Sequence, residues 1–240
     1  TKAHELERLK DDFVATVSHE LRTSLTPIKG WAVTLLQLGE HLAPEQRQEG
    51  VQAILRHAER LERLVTNILE VSKIERGLSD RREAIVDVLA VAEKTIEDFR
   101  AESERREIIL RVSGDRHRTR GDEVWVEQII TNLLSNAIKY SPADRPTEVS
   151  VSGSHHLIEV AVTDHGPGIP EHEMERIFER FKRLGDHMTR SQGGTGLGLY
   201  IARQLARAIG AELTVQSRLG RGTTFTLRLR ALKEAIPVAS

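Results

Sequence analysis

Close to its start the chain carries a histidine in a setting that suits nucleophilic chemistry. His19 is followed directly by Glu20, and Thr23 comes one helical turn later. Apolar residues recur here at three- and four-residue spacing, so at about 100° per residue His19 falls opposite the apolar stripe and faces solvent. The stripe consists of Phe13, Val17, Leu21, Ser24 and Ile28. A neutral imidazole offers a lone pair, and a neighbouring carboxylate can orient the ring and accept its other proton. The alternative is an ordinary surface histidine.

A second group of polar residues lies on one side of a predicted helix further along the chain. In the string NLLSNAIKY, Asn132, Asn136 and Lys139 recur at spacings of four and three residues, with Tyr140 alongside. Amides and a lysine on one helical face suit Mg²⁺ together with phosphates, because Mg²⁺ takes oxygen ligands and keeps several waters. The alternative is that these side chains are simply exposed to solvent.

Three glycine-containing strings follow. DHGPGIP, residues 164–170, comes directly after a predicted strand, where glycines let a flat ligand approach the backbone and Asp164 can accept from an exocyclic amine. GGTGLGL, residues 193–199, leads into a helix whose N-terminus offers N–H groups to phosphate oxygens. It is neither a Walker A loop nor a Rossmann fingerprint, since no Gly-Lys-Ser/Thr follows and no βαβ unit surrounds it. GRGTTF, residues 220–225, forms a turn before the last predicted strand. Each string is weak evidence when taken singly, and the alternative for DHGPGIP is a plain tight turn.

Two long helices are predicted to position His19. Apolar periodicity runs from Leu6 to about Leu38, breaks over residues 39–44 and resumes to about Glu75. The second helix carries an apolar seam whose spacing alternates threes and fours, as in coiled coils and bundles. The seam consists of Val51, Ile54, Ala58, Leu61, Val65, Ile68 and Ser72. Two antiparallel helices cannot enclose a core on both sides, so we predict a dimeric four-helix bundle. The alternative is a helical hairpin packed on the chain's own second domain.

The glycine strings lie in a second region of different texture. Residues 77–82 (GLSDRR) are polar and are interpreted as a linker between domains at 1–76 and 83–240. Helices are predicted at 85–104, 124–140, 171–181 and 197–209, and strands at 107–112, 148–151, 157–163, 212–217 and 223–230. Helices and hairpins in runs favour a mixed or antiparallel sheet covered on one face, an α/β sandwich. The predicted fold class is therefore α+β and multidomain.

Composition narrows the classes of function. The 240 residues include 35 basic and 36 acidic ones, a net charge of −1, which argues against nucleic acid or an anionic membrane surface as a partner. There is no cysteine, which excludes disulfides and thiolate metal sites and suits the reducing cytoplasm. No apolar run approaches the roughly 18 residues that cross a bilayer. We expect the first helix to continue upstream of Thr1 into a sensor domain that this chain lacks, so membrane anchoring of the full-length protein stays open.

The string around His19 resembles a known family. FVATVSHELRTSLTPIKGW, residues 13–31, is similar to the H-box of the histidine kinase dimerisation domain, approximately F-x-x-x-x-S-H-E-L-R-T-P-L-T-x-I-x-G. The resemblance implies that His19 is the phosphoacceptor and that Glu20 is its acid–base partner. It also implies that Thr23 positions the water used when such kinases dephosphorylate their partner.

The H-box departs from the family pattern at one position. Ser24 stands where proline is usual, and Pro27 lies almost one turn further on. A proline inside a helix removes a hydrogen bond and kinks the helix, so we expect the kink to be displaced or weakened. We expect this departure to affect the balance between kinase and phosphatase activity. It bears less on the identity of His19 as the phosphoacceptor. The alternative is that Ser24 hydrogen-bonds locally without consequence.

The later strings resemble, in order and spacing, the N, G1, G2 and G3 boxes of the ATPase fold shared by histidine kinases, gyrase B, Hsp90 chaperones and MutL. IFERFKR, residues 177–183, resembles the F box of the kinases. The resemblance implies that Asn136 binds Mg²⁺, that Asn132 and Lys139 contact phosphates, and that Asp164 holds the adenine amine. Residues 184–196 would form a mobile lid, and Arg180 or Arg183 would reach the γ-phosphate. The other expected nucleotide contacts are Tyr140, Gly166, Gly168, Ile169, Gly194, Thr195, Gly196, Leu197, Gly198 and Thr223.

The combined resemblance implies a sensor histidine kinase of a two-component system. It would be a homodimer that uses ATP and Mg²⁺ to phosphorylate His19, passes the phosphoryl group to a response regulator aspartate and dephosphorylates that regulator. One rival is a non-catalytic nucleotide-binding scaffold, which the joint presence of His19, Glu20 and Asn136 disfavours. The other is an ATPase of the gyrase or chaperone type, against which the H-box counts.

Overall fold

The chain forms two compact units, Thr1–Glu75 and Arg76–Ser240, and each is described by itself. The computed structural model describes residues 2–75, 83–102, 106–182 and 196–232. The predicted linker at 77–82 and residues 184–195 of the predicted lid lie outside the described residues. Within the described ranges, no helix combines the length and the apolar character needed to cross a membrane.

The first unit is an antiparallel pair of long helices. Helix α1 spans Lys2–Leu38 and helix α2 spans Pro44–Glu75, as the periodicity predicted. The turn between them is closed by two amides that donate to the carbonyl of Leu38. At the start of α2, Gln46 accepts from the backbone N–H of Ala43 at 3.1 Å, which satisfies one of the donors that a helix N-terminus leaves free.

The faces that α1 and α2 present to each other are not the apolar seam read from the sequence. Among the described side chains of α2 the buried positions are Gly50, Ala53 and Leu64, and a Cβ on Gly50 would lie 2.6 Å from the indole of Trp31. By contrast, Val51 is 57% exposed in the single chain. Among the described side chains of the two helices, the other exposed large apolar residues are Leu25, Val33, Leu36, Leu38, Leu55, Val65 and Leu69.

The second unit is built on a mixed five-stranded sheet in the order β2-β4-β5-β7-β6, beside a small antiparallel pair, β1 and β3. Strands β2 and β4 are parallel, and the other neighbours in the large sheet are antiparallel. The strands are β1 (Ala84–Asp87), β2 (Ile108–Gly114), β3 (Arg118–Gly121), β4 (Thr147–Gly153), β5 (Leu157–Asp164), β6 (Glu212–Arg218) and β7 (Gly222–Arg230). The helices are α3 (Val88–Glu102), α4 (Glu123–Tyr140) and α5 (Gly198–Ala208).

Burial alternates along the central strands, as expected for a sheet with one packed face. Val160 of β5 pairs with Val151 of β4 and with Leu227 of β7, and all three are buried. The intervening positions, such as Glu159 and Arg228, are half-buried and joined by an ion pair of 2.7 Å. The predicted α/β sandwich is therefore confirmed, with a sheet of mixed rather than purely antiparallel pairing.

Two predicted helices were wrong in part. The segment predicted as a helix from residue 85 opens as strand β1, and α3 begins only at Val88, where Asp87 accepts from the amide of Ala90 at 3.2 Å. The pairing partner of β1, strand β3, has two arginines among its four residues and was not predicted at all. The helix predicted at 171–181 is two 3₁₀ turns, Glu171–Glu173 and Arg176–Phe178, because Glu179 is extended (ψ 153°) and Phe181 has φ of 58°.

Candidate functional site

His19 lies exposed on α1, as the apolar periodicity predicted. Thr23 is exposed one turn later, and its hydroxyl donates to the carbonyl of His19 at 2.9 Å. This local bond holds the Thr23 hydroxyl next to the histidine backbone and leaves its oxygen lone pairs free to accept. An accessible imidazole and an accessible hydroxyl therefore share one surface of the first unit.

Glu20 is turned toward the second helix. Its Oε2 lies 2.8 Å from Nη2 of Arg60, and the two side chains are only 12% and 22% exposed. In the described part of the chain the Glu20 carboxylate makes no hydrogen bond with the His19 ring. Sequence reasoning missed Arg60, because nothing local signals a contact across 40 residues.

Ser24 lies inside the hairpin. Its side chain is fully buried, and its Oγ has no hydrogen-bond partner among the described residues. Helix α1 nevertheless continues through Pro27 to Leu38. Because proline has no N–H, the carbonyl of Thr23 receives no bond from the residue four positions on.

Helix α4 positions the asparagines of the N-box. Asp122 caps it by accepting from the amides of Val124 and Trp125, at 3.0 and 3.4 Å. Its apolar face is buried, and Asn132 and Asn136 lie half-buried on another side, one turn apart. At the end of the helix, Nζ of Lys139 donates to the Tyr140 hydroxyl at 3.0 Å and lies 4.6 Å from the centre of that ring.

Asn132 lies against the start of α5. A Cβ on Gly198 would lie 3.0 Å from Oδ1 of Asn132, so glycine allows this close approach. Nδ2 of Asn132 is buried and has no partner within the described ranges. Buried polar groups are normally satisfied, and this amide next to a helix N-terminus can donate to an anionic oxygen. The tertiary structure therefore brings the N-box and the G2 box together.

Asp164 is a buried carboxylate at the end of β5, with 5% of its surface exposed. Burial raises its pKa above the usual range for aspartate. The backbone N–H groups of Gly166 and Thr223 and the neighbouring His165 lower the pKa and offset part of this effect. Gly166 donates to Oδ1 of Asp164 at 2.8 Å, which orients the carboxylate.

Three glycines bring the loop after β5 against its neighbours. A Cβ on Gly166 would lie 2.7 Å from the carbonyl oxygen of Tyr140, at the end of α4. Gly168 and Gly222 have φ of 74° and 92°, a region that disfavours side chains, and a Cβ there would lie 2.2 Å and 1.9 Å from backbone oxygens. Only glycine permits the G1 and G3 strings to pack this closely.

Ser217 joins the G1 and G3 strings, and sequence reasoning missed it. Its Oγ accepts from the amide of Ile169 at 2.8 Å, donates to the carbonyl of Gly222 at 2.8 Å and lies 2.9 Å from Oγ1 of Thr223. The Ile169 side chain itself is buried, so this residue belongs to the wall of the loop. A serine at the end of a predicted strand carries no local signal for such a role.

The F box packs on helix α5. Phe178 meets Phe225 edge to face, with ring centres 6.3 Å apart. Arg180 donates to the hydroxyl of Tyr200 at 2.7 Å and lies 4.8 Å from that ring, a partner that the sequence did not suggest. The amide of Phe181 donates to the carbonyl of Gly196 at 3.0 Å.

Four of the predicted nucleotide contacts are either buried in the core or outside the described residues. Leu197 is fully buried in the core, so its side chain contributes packing and only its backbone can face a ligand. Arg183, Gly194 and Thr195 lie outside the described residues. The other predicted nucleotide contacts of the second unit gather around the end of α4, the loop after β5 and the start of α5.

These groups suit an adenine nucleotide. An exocyclic amine needs a buried acceptor, which Asp164 supplies, and phosphate oxygens need donors, which Asn132, Lys139 and the N-terminus of α5 supply. The unpartnered amide of Asn132 supports the fit, since a phosphate oxygen would satisfy it. Asn136 offers an amide oxygen of the kind that Mg²⁺ accepts.

Comparison with known proteins identifies two family models in the chain. A family model described as histidine kinase-, DNA gyrase B- and HSP90-like ATPase matches residues 121–233. The His Kinase A (phospho-acceptor) domain matches residues 9–77. Among solved structures, Acinetobacter baumannii histidine kinase AdeS is similar over 88% of this chain and 97% of that chain, with a TM-score of 0.67 and 21% identity. The full-length ShkA structure is similar over 95% of this chain and 47% of that one, with a TM-score of 0.66 and 26% identity.

The curated relatives with similar sequences include proteins named sensor histidine kinase. Sensor histidine kinase YkoH of Bacillus subtilis strain 168 is 35% identical over 91% of this chain and 47% of its own length. Sensor histidine kinase AruS of Pseudomonas aeruginosa is 35% identical over 100% of this chain and 25% of its own length. The chain thus spans half or less of these relatives. With a phospho-acceptor domain on its long helices and an ATPase-like domain after them, the chain belongs to the sensor histidine kinase family as a catalytic core.

Proposed function

We propose that this chain transfers the γ-phosphoryl group of ATP to His19. The observation that carries the proposal is the accessible His19 on the helix matched by the phospho-acceptor family, in one chain with an ATPase-like domain. A ring nitrogen of His19 attacks the γ-phosphorus, and the bond from that phosphorus to the bridging oxygen breaks, which releases ADP. The proton on the other ring nitrogen passes to Glu20. Such transfer depends mainly on positioning and charge neutralisation.

The second unit would bind the nucleotide. Asp164 accepts from the adenine amine, and Gly166 keeps the backbone beside it open. Asn132 and Lys139 donate to phosphate oxygens. Asn136 is the proposed ligand for Mg²⁺, which supplies positive charge at the phosphates when bound.

We further propose that a response regulator accepts the phosphoryl group. The structure of histidine kinase ThkA in complex with response regulator protein TrrA has a TM-score of 0.74 to this chain at 23% identity, a likeness of fold. Phosphatase activity toward that regulator is part of the proposal. Thr23 supports it, because its exposed hydroxyl can accept a hydrogen bond from water beside His19.

The first unit is proposed to dimerise into a four-helix bundle. On α2, Val51, Leu55, Val65 and Leu69 fall within about 80° of one another at 100° per residue, and each is 44–57% exposed in the single chain. Exposed apolar residues grouped on one helix face in this way favour burial against a partner surface. Residues 1–76 are thus assigned to dimerisation and phosphotransfer, 77–82 to a linker and 83–240 to ATP binding. Cytoplasmic location stays a prediction from the absence of cysteine.

Autophosphorylation provides the test. Incubation with γ-labelled ATP and Mg²⁺ is expected to give acid-labile, alkali-stable phosphate on the wild-type chain. His19→Gln is expected to abolish labelling while ADP binding is unchanged, whereas His41→Gln, at an exposed histidine of the same unit, is the matched control and retains label. Label that persists in the His19→Gln variant contradicts the assignment, and so does the absence of label on wild type.

A further inference from the structure

The contact between the two helices of the first unit contains polar residues at core positions. On α2 the positions facing α1 follow a four-three-four spacing, Ala53, His57, Arg60 and Leu64, which is that of a bundle core. Ala53 and Leu64 are buried, as expected, but the two positions between them carry ionisable side chains. Such residues cost stability unless they are well paired.

The facing positions of α1 are polar at the same level. Glu20 contacts Arg60, and Trp31 lies against Gly50, so the antiparallel register places Ser24 level with His57. Three polar atoms here are buried without a hydrogen-bond partner in the described part of the chain: Oγ of Ser24, Nδ1 of His57 and Nε of Arg60. At this level of the hairpin, Glu20 and Arg60 do pair, through Oε2 and Nη2.

That ion pair involves the residue directly after His19. Its Nη2–Oε2 distance is 2.8 Å, and the limited exposure of both side chains protects it from screening by salt. Arg60 contacts Oε2 of Glu20, while Oε1 has no hydrogen-bond partner among the described residues and can accept one. A carboxylate on a flexible side chain, held by one oxygen, loses much of the rotational freedom that would otherwise oppose a second hydrogen bond.

We propose that Arg60 is a positioning residue for the phosphorylation of His19, holding Oε2 of Glu20 so that Oε1 serves the ring of His19. The proposal rests on the proposed function of His19 and assigns Arg60 no contact with ATP. During transfer, Oε1 takes the proton from the ring nitrogen that does not attack phosphorus. The Glu20–Arg60 ion pair is then kept for catalysis at a cost in packing.

Kinetics of Arg60 variants test the proposal. For Arg60→Gln we expect kcat for autophosphorylation to fall by about tenfold, part of the roughly 10²- to 10⁴-fold that a positioned acid–base group supplies. KM for ATP should stay within about twofold of wild type, because Glu20 and Arg60 act after binding. Arg60→Lys keeps a cation and should recover most of the rate, and Arg56→Gln, at an exposed position on the same helix, should match wild type. A kcat for Arg60→Gln within about twofold of wild type overturns the proposal.

A double-mutant cycle separates positioning from general damage. If Arg60 acts through Glu20, the variant Glu20→Gln/Arg60→Gln should be no slower than Glu20→Gln alone. The double variant also carries no lone buried charge, so it remains measurable even where Arg60→Gln is poorly folded. Multiplicative losses in the double variant overturn the proposal.

A measurement that does not depend on activity tests the role of Arg60 separately from the proposed autophosphorylation of His19. NMR of the ring nitrogens of His19 reports which nitrogen carries the proton. Glu20 makes no hydrogen bond to the His19 ring in the resting structure, so the spectra are recorded with a non-hydrolysable ATP analogue and Mg²⁺. Under these conditions we expect the ratio of the two neutral tautomers to differ between wild type and both Glu20→Gln and Arg60→Gln, and to be restored in Arg60→Lys. If wild type incorporates no label, the proposed function fails, yet the tautomer ratio still decides on Arg60. Identical His19 ring spectra in all four proteins overturn its role.

Discussion

At the scale of single residues, the carboxylate that is proposed to bind the adenine amine, that of Asp164, is buried. Desolvation raises its pKa, and the N–H groups of Gly166 and Thr223 offset only part of that effect. Burial therefore makes the ionised form of Asp164 less favourable than that of an aspartate in water. The stability contribution of such a group is fully present below the unfolded-state pKa and is lost as pH rises through the raised folded-state pKa.

Nucleotide binding by Asp164 should have the opposite dependence on pH. The ionised carboxylate is the stronger acceptor for an adenine amine, so ADP affinity should decrease as pH falls toward the raised pKa, at a higher pH than for an ordinary aspartate. Calorimetric titration from neutral to mildly acidic pH measures this. Asp164→Asn is the control, with weak binding that changes little over the same range. An affinity in wild type that is independent of pH would contradict the role of Asp164.

The buried hydroxyl of Ser24 makes a second prediction at this scale. Because Oγ has no partner, Ser24→Ala should remove a desolvation penalty and raise the free energy of unfolding by about 1 kcal/mol. Thermal or urea unfolding monitored by circular dichroism measures the change. Thr26→Ala, at an exposed position nearby, should change stability by less than about 0.5 kcal/mol. A loss of stability in Ser24→Ala would show that the hydroxyl is satisfied.

At the scale of elements, the site of the second unit depends on backbones that approach closely. The end of α4, the loop after β5 and the turn before β7 meet through Gly166 and Gly222 and are joined by Ser217. None of these contacts is made within one helix or strand. The positions of Asp164 and Asn132 are therefore set by the packing of several elements rather than by local conformation.

Gly222→Ala tests this dependence. Its Cβ would lie 1.9 Å from the carbonyl oxygen of Asp164, and its φ of 92° disfavours a side chain. We expect a loss of about 1–3 kcal/mol in stability from backbone strain and a clear loss of ADP affinity. Gly121→Ala, where a Cβ meets nothing within 4 Å, is the matched control in the same unit. Nucleotide affinity that survives Gly222→Ala would show that the turn does not shape the site.

At the scale of the whole molecule, the exposed apolar stripe on α2 predicts assembly. Replacing Leu55, which is 57% exposed, with glutamate places a charge in the proposed dimer contact and should shift the chain to monomer in sedimentation experiments. Arg56→Glu, at the adjoining exposed position, should leave the dimer intact. ADP affinity should be unchanged in both, because the proposed nucleotide residues belong to the second compact unit. A dimeric Leu55→Glu variant would contradict the proposed bundle.

The sequence by itself determined the features that depend on local pattern. Periodicity placed the two long helices, the exposure of His19 and the burial of Ser24, because the angle between residues on a helix is constant. The N, G1, G2 and G3 strings and the H-box identified the family, which the comparisons confirmed. These strings are recognisable because helix termini and tight turns demand particular residue types at fixed spacing.

Only the tertiary structure decided the contacts between residues far apart in the chain. Strands β1 and β3 are four residues each and are stabilised by pairing with each other, which no local propensity reveals. The same holds for Arg60, which meets Glu20 across the helical hairpin, and for Ser217, which joins two glycine loops. The energy of such contacts comes from burial and geometry that exist only once the chain has folded, so the residues that take part carry no mark in the sequence.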